Sequence, residues 1–389
     1  EIHGGAGYEL LELPAGGLGM YLGASYRTES LDSSADALSK AKRVLGASGG
    51  GAGVGERDIT AVFTELSIPI LDNLDLNLAA RYDDYSDFGS TFNPQVSLRY
   101  NVIDELVLRA SWGTGFKAPS LAELYQDPQE DWGDVTNYLS CYETGGAEAI
   151  GNCDEEQEIP AYIQNNPDLQ PEESESYNIG AVWDITDTVN MTADYWSLET
   201  DNLISRINES DLLEMLAIQW AAADAMGTPR TELGDLFGNH TVSRDEQGRL
   251  TEMEVMNTNW GVTEREGLDV KVAATFDTAI GEFKLGAAWS HYIKYTNTSI
   301  NNGLFEVSDN RSGNSGNPDD RISFTANYIF ADDHSIYYKA DYIDKQNTTA
   351  TNDDGSRFEI DDLIYHTLTY SYQMPWNNTL SVGVNNLSD

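Results

Sequence analysis

The chain has 389 residues, with 65 acidic and 22 basic side chains and a formal net charge of −43 at pH 7. Phosphate binding needs a basic surface, so this balance excludes nucleic acid as an expected partner. No stretch approaches the run of roughly 18 apolar residues that a membrane-spanning helix needs, which excludes a helical membrane protein but not one built from strands.

Apolar and polar residues alternate through much of the chain, with the period of a strand that has one apolar and one polar face. The clearest such segments are 74–81, 95–100, 105–112, 268–276, 322–328 and 336–342. This alternation predicts strands, although it is also compatible with a soluble β-sandwich.

Short and long connections alternate between these strands. The short turns are at 13–16, 71–73, 101–104, 186–187, 277–281, 331–333 and 375–378. The long polar segments are 31–56, 86–94, 114–173, 201–261, 297–317 and 344–357. Outer-membrane barrels have short periplasmic turns and longer outer loops. The chain is therefore predicted to be all-β, an antiparallel transmembrane β-barrel wall of about 14 strands.

Aromatic residues crowd many strand ends. Examples are Tyr195, Trp196, Trp289, Tyr292 and Tyr295. Such positions are typical of the aromatic girdles that a barrel places at the two membrane interfaces.

One segment breaks the strand pattern. Residues 211–226 are predicted to form one short amphipathic helix, with Ser210 as its N-cap and Gly227 as its end. The helix falls in a long segment, so we expect it outside the cell, where it either covers the pore mouth or packs on other loops.

The region between Lys117 and Arg206 contains no other Lys or Arg and many acids. It is either a solvated, self-repelling loop or a site for divalent cations or a cationic ligand. The chain's two cysteines, Cys141 and Cys153, lie within it. Two close cysteines in a polar loop with no nearby His predict a disulfide in an oxidising compartment rather than a metal site.

No catalytic motif is present: the five His are scattered, and neither an HExxH nor a GxSxG sequence occurs. No enzyme activity and no cofactor are therefore predicted, with one exception. Asp83, Asp84 and Asp87 offer oxygen ligands that are a candidate structural calcium site.

Four basic residues are candidates for ligand contact, because they lie on the polar faces or outer ends of strands and a ligand arrives from outside. They are Arg81, Arg99, Arg109 and Lys117. The alternative is that these side chains solvate the lumen and pair with acids.

The segment 107–125, VLRASWGTGFKAPSLAELY, resembles the barrel of TonB-dependent outer-membrane receptors. In that family a Gly-Phe-(Arg/Lys)-Ala-Pro segment precedes an Asn-Pro-x-Leu-x-Pro-Glu stretch, and residues 115–119 and 166–172 follow this order. Residues 81–89, 174–180 and 383–389 also look like the family's.

The resemblance implies a barrel of about 22 strands in the outer membrane of a Gram-negative bacterium, with a lumen closed by an N-terminal plug. It implies import of a scarce nutrient, a ferric siderophore-type ligand, cobalamin or an oligosaccharide, driven by TonB and the inner-membrane energy-coupling complex acting on the plug. Residues 1–389 are then expected to be a part of the barrel domain, without the plug, the first strands and the last strand. A passive porin-like channel and a soluble β-sheet ligand-binding module are the alternatives.

Overall fold

The computed structural model describes the chain except for residues 42, 44–51, 231, 233–237, 239, 302–303, 309–312, 315, 353–355 and 388–389. The strands within the described ranges are β1 (Ile2–Leu13), β2 (Gly16–Ser33), β3 (Gly53–Leu71), β4 (Leu74–Tyr85), β5 (Gly89–Ile103), β6 (Leu106–Lys117), β7 (Gln129–Thr136), β8 (Glu156–Gln164), β9 (Glu172–Thr186), β10 (Val189–Arg206), β11 (Thr241–Arg244), β12 (Leu250–Thr278), β13 (Gly281–Asn301), β14 (Leu304–Ser308), β15 (Asp320–Phe330), β16 (His334–Ile343), β17 (Gln346–Thr351), β18 (Arg357–Ile360), β19 (Leu363–Gln373) and β20 (Thr379–Asn385). The helices there are α1 (Ala37–Lys40), α2 (Leu121–Tyr125), α3 (Tyr138–Gly145), α4 (Ala147–Ile150) and α5 (Glu209–Met226).

Fourteen strands form one antiparallel wall in which each strand pairs with the next wall strand along the chain. They are β1 to β6, β9, β10, β12, β13, β15, β16, β19 and β20. The predicted strand number and antiparallel architecture are confirmed. Among the described residues β1 and β20 are not paired with each other, so this stretch of wall is open.

One face of the wall carries exposed apolar side chains, such as Val62, Leu98, Phe324 and Val382. A soluble sheet would bury such residues, whereas a membrane barrel turns them to lipid. We therefore call this the lipid face and the opposite, polar face the lumenal face.

A ladder of stacked rings follows the short-turn end of the lipid face. Phe283 stacks on Tyr328 and Tyr328 on Phe330, with ring centroids 4.5 and 5.1 Å apart. His334 continues the ladder from Phe330 to Tyr372 at 5.2 and 4.7 Å. This is the girdle expected at one membrane interface.

All seven predicted short turns are present between paired wall strands. The predicted long loop at 86–94 is wrong, because β4 and β5 are joined by residues 86–88 alone. Gly89 pairs with Tyr85 and adopts a φ of 102°, which a glycine reaches without steric cost. The prediction failed because the outer end of β5 is rich in polar residues, as a loop would be, although these residues pair with β4.

Helix α5 confirms the predicted loop helix but begins two residues earlier. Asn208 is its N-cap and accepts a hydrogen bond from the backbone N–H of Ser210. The hydroxyl of Ser210 instead accepts from the backbone N–H of Thr136, 3.0 Å away. Gly227 ends the helix with a φ of 69°. The expectation of one helix was wrong in number, because the loops also hold α1 to α4, which are too short for a periodic sequence signal.

None of the helices in the described part of the chain combines the length and the apolarity that crossing a membrane requires.

The connections β6–β9 and β10–β12 fold together into one unit, which we call the outer cap: the described residues of 118–171 and 207–257. Strand β8 pairs in parallel with the outer part of β12, where Ala161 lies opposite Met253. The fully buried side chains of the cap core are Leu139, Leu212, Leu213, Leu216, Ala217, Met253 and Val255. The long loops therefore carry a hydrophobic core of their own, apart from the wall.

Truncation of Leu216 to Ala is expected to destabilise the cap by about 2–5 kcal/mol, the usual cost of deleting a fully buried Leu side chain. Limited proteolysis of the full-length receptor in detergent should show faster cleavage within the cap, with the thermal unfolding of the wall unchanged. Gln219→Ala is the matched control, because Gln219 is exposed on the same helix. Equal cleavage rates in the two variants would contradict an independent cap core.

Candidate functional site

A single row of residues in register crosses eight wall strands on the lumenal face, and we call it the lumenal row. Its members are Asp75, Arg99, Arg109, Gly180, Asp194, Asp269, Ser290 and Arg321. Directly opposed residues in neighbouring strands lie close enough to interact, so this row is the polar interior of the wall.

Arg109 reaches past a neighbouring strand to its partner. Its Nη2 and Nε lie 2.6 and 2.9 Å from Oδ2 and Oδ1 of Asp194. The strand between them carries Gly180 at this level, and a Cβ there would lie 2.8 Å from Cγ of Asp194. The missing side chain of Gly180 thus opens the path for a bidentate ion pair across three strands.

The other three basic candidates are also paired with carboxylates. Arg81 donates from Nη2 to Oδ1 of Asp83 over 2.8 Å, and Arg99 lies 3.8 Å from Asp75. Lys117 forms the third pair, with its Nζ 3.1 Å from Oε1 of Glu172.

These contacts match the alternative in which the four candidate cations pair with acids of the wall. A ligand role for them stays a prediction.

The three aspartates of the candidate calcium site do not converge. Asp83 and Asp84 are neighbours on β4 and point to opposite faces, as successive strand residues must. Asp83 is held by Arg81, while Oδ2 of Asp87 lies 3.4 Å from Nη1 of Arg57. Among the residues that the structure describes, no group of His, Cys, Asp or Glu could hold a metal ion. The predicted calcium arrangement is therefore not formed.

A lumenal pocket of about 420 Å³ lies against the middle parts of β10, β12 and β13 and the outer end of β15. We call it the Trp196 pocket, and its lining includes Trp196, Asp269, Ser290, Tyr292, Asn317 and Arg321. Its size lies within the range of roughly 300–1,000 Å³ that is usual for small-molecule sites.

The indole of Trp196 lies over the backbone of Gly267, its neighbour across the β10–β12 pair. A Cβ at Gly267 would lie 2.7 Å from Cε2 of the indole, so only glycine permits this approach. Tyr292 stands perpendicular to the indole, with the ring centroids 5.8 Å apart. The two rings form an apolar corner of the pocket, and Trp196 remains half-buried.

Two cations on this part of the wall stand out in so acidic a chain. Within the described ranges neither Lys271 nor Arg321 has a carboxylate ion-pair partner. Nearby, the guanidinium of Arg265 lies 4.6 Å from the ring centre of Tyr295 and donates to its hydroxyl. Of these three cations, Arg321 belongs to the lining of the Trp196 pocket, whereas Lys271 and Arg265 do not.

The sequence pattern misplaced three aromatic residues in or beside this pocket. Trp196, Tyr292 and Tyr295 were predicted for the girdle, whereas all three face the lumen. Tyr195 and Trp196 are adjacent in one strand, so the alternation itself required one of them to point inward. Tyr292 is three positions from Trp289, so the same alternation places these two rings on opposite faces. For Tyr295 the cause is a register shift between Glu266 and Gly267, after which Tyr295 pairs with Arg265 on the lumenal side.

The outer cap is cross-linked at its acidic end. Cys141 and Cys153 are joined by a disulfide, with their Cα atoms 5.8 Å apart. Next to it, Glu143 accepts hydrogen bonds from Arg230 and Arg244, and the bond from Arg244 holds the pKa of Glu143 below its ordinary value. The disulfide thus links helix α3 to the segment after α4, and the hydrogen bonds of Glu143 link the same helix to Arg230 and Arg244 of the second cap loop.

Arg57 of β3 fastens the start of the cap to the wall. Its Nη1 donates to the carbonyl oxygen of Pro119 over 2.7 Å, and its Nη2 lies 2.7 Å from Oε2 of Glu29. The guanidinium also lies 5.2 Å from the ring centre of Tyr85. The Lys-Ala-Pro segment noted in the sequence therefore leaves the wall at a fixed point.

Burial lowers the pKa of His240, a fully buried cap residue, below its ordinary value of 6.5. Below pH 6.5 the unfolded chain takes up a proton that the folded cap does not, so cap stability is complete above that pH and falls as the pH decreases toward the lowered value. Proteolysis of the cap should accelerate between about pH 7 and pH 5, and His240→Gln should flatten that dependence. His3→Gln, at an exposed position, should keep it; a pH profile identical in both variants would contradict the assignment to His240.

Replacing Gly180 with Ala is expected to destabilise the wall by about 1–3 kcal/mol, because the new methyl group must displace the carboxylate of Asp194 from Arg109. The measurement is the thermal unfolding of the full-length receptor in detergent. Gly4→Ala in β1 is the control, since a Cβ at Gly4 meets no atom within 4 Å. Equal midpoints for the two variants would show that the space at Gly180 is not needed.

Residues 5–387 match the family model described as TonB dependent receptor-like, beta-barrel. Among curated proteins the chain is similar to the vitamin B12 transporter BtuB of Photobacterium profundum, with 31% identity over 124 residues, 32% of this chain and 14% of that protein. It is also similar to the probable TonB-dependent siderophore receptor PirA of Acinetobacter baumannii, with 26% identity over 125 residues and the same two shares, 32% and 14%.

Two solved structures share the fold over 100% of this chain. One is a mutant of the ferric enterobactin receptor PfeA from Pseudomonas aeruginosa in complex with enterobactin, with a TM-score of 0.66, 17% identity and 48% of that chain covered. The other is the siderophore receptor PirA from Acinetobacter baumannii, with a TM-score of 0.64, 15% identity and 50% covered. The chain thus spans about half the length of these receptors, and at such identities the likeness concerns the fold alone.

Proposed function

Because this chain belongs to the TonB-dependent receptor family, over that family's β-barrel domain, we propose that it is the ligand-selecting wall of an active importer in the outer membrane of a Gram-negative bacterium. Its lipid face contacts outer-membrane lipid. Ligand enters under the outer cap and passes along the lumenal face. Energy comes from TonB and the inner-membrane energy-coupling complex, and no enzyme activity is expected.

The observation that carries this proposal is the Trp196 pocket on the lumenal face. A porin needs an evenly wetted channel, whereas this wall has a shaped site with two aromatic rings and converging polar groups. The site lies on the lumenal face inward of the outer cap, on the path of a ligand that arrives from outside. The relatives named as vitamin B12 and siderophore receptors support a small organic ligand or a metal chelate.

Uptake by whole cells tests active import. A strain that lacks the receptor gene is complemented with the full-length receptor and supplied with labelled ferric enterobactin, cyanocobalamin and maltotetraose. At least one probe should accumulate, and accumulation should stop when TonB is deleted or the protonmotive force is collapsed.

Accumulation that continues in the TonB deletion would identify a passive channel and overturn the proposal. Purification of the full-length protein from the soluble fraction without detergent would instead select the soluble binding module.

A further inference from the structure

Resting on the proposed import function, we infer that the Trp196 pocket binds a neutral saccharide ring of the imported ligand. The pocket combines an aromatic platform with hydrogen-bond donors and acceptors at its edge. A sugar ring presents an apolar C–H face and a rim of hydroxyl groups that both donate and accept. The two surfaces are complementary in chemistry.

The platform is the indole of Trp196. Gly267 covers one side of the ring and Tyr292 closes the corner at right angles, so that the remaining side of the indole faces the pocket. A pyranose ring stacks on such a surface through its axial C–H groups, whereas a linear or highly branched ligand finds no matching plane. The indole is fixed in place by its neighbours and needs no reorganisation to bind.

The polar rim supplies separate donors and acceptors. Oδ1 of Asp269 accepts from the hydroxyl of Ser290 over 2.5 Å, which orients the carboxylate and leaves Oδ2 for a ligand hydroxyl. Arg321 lies directly across from Ser290 in the next strand and supplies guanidinium donors. Asn317 adds an amide that offers one acceptor and two donors.

The charge of the pocket selects a neutral ligand. Asp269 and Arg321 cancel within the lining, so the site does not present the excess positive charge that an anionic chelate requires. The nearest further carboxylate of the lumenal row, Asp194, lies opposite Asp269 and is itself held by Arg109. An anion at this place would face the carboxylate of Asp269 as well as the guanidinium of Arg321, whereas a neutral ring needs no net charge from its site.

Binding to the full-length receptor in detergent tests the inference by titration calorimetry and by tryptophan fluorescence. The probes are four neutral tetrasaccharides (maltotetraose, cellotetraose, xylotetraose and chitotetraose) and, as an anionic aromatic chelate, ferric enterobactin. At least one tetrasaccharide should bind. Trp196→Ala should weaken that binding by about tenfold or more, and Trp196→Phe should weaken it less because a smaller platform remains.

Two further variants make the result specific. Asp269→Asn should weaken saccharide binding while leaving the shape of the pocket intact. Trp376→Ala is the matched control, because Trp376 is exposed in the turn between β19 and β20 and should leave both binding and fluorescence change unaltered. Equal thermal midpoints of all variants confirm that they fold alike.

The inference is overturned if none of the tetrasaccharides binds, if Trp196→Ala leaves saccharide binding unchanged, or if Trp196 is needed for ferric enterobactin instead. These outcomes leave TonB-dependent uptake untouched. Failure of the import function would appear separately, as accumulation that persists in the TonB deletion.

Discussion

Every other feature of this wall depends on the need of each backbone N–H and C=O group for a partner where no water is available. Within lipid this need is met by an uninterrupted ladder between neighbouring strands. The ladder fixes the register, and the register decides which side chains meet. Arg109, Gly180 and Asp194 come together because the ladder places them at one level, although Arg109 and Asp194 are 85 positions apart in the chain.

Positive charge is scarce in this chain and is distributed unevenly. With 22 basic against 65 acidic residues, most of the basic side chains in the described part of the chain form an ion pair with a carboxylate. The candidate cations Arg81, Arg99, Arg109 and Lys117 stabilise the wall through ion pairs. Lys271 and Arg321 differ, since neither forms an ion pair with a described carboxylate, and they lie where the wall also carries lumenal aromatic rings.

Features that follow from local spacing could be predicted from the sequence. The alternation of apolar and polar residues predicted the strands, and short polar clusters predicted the turns. The apolar period and Gly227 predicted helix α5. The opposite orientation of Asp83 and Asp84 also follows from that alternation, so the calcium arrangement could have been rejected at once.

Contacts between distant strands could not be predicted in this way. The partner of each wall cation depends on register between strands, and the lumenal position of Tyr295 depends on a bulge that leaves no trace in composition. The hydrophobic core of the cap is likewise formed by two separate loops, and nothing in either loop's sequence predicts that it packs against the other. The disulfide is the exception, because the two cysteines lie only 12 positions apart.

The parallel pairing of β8 with β12 has a consequence for the order in which the molecule assembles. Ala161 and Met253 are separated along the chain by β9, β10 and most of the second cap loop, so the first half of the cap stays incomplete until the second half is available. Pairings between such distant segments are slow, because the intervening chain must be ordered before they form. The short loop closed by Cys141 and Cys153 can form during that interval and limit the conformations of the waiting segment. We therefore expect the outer surface to close late in the folding of this chain, after the adjoining wall strands have paired.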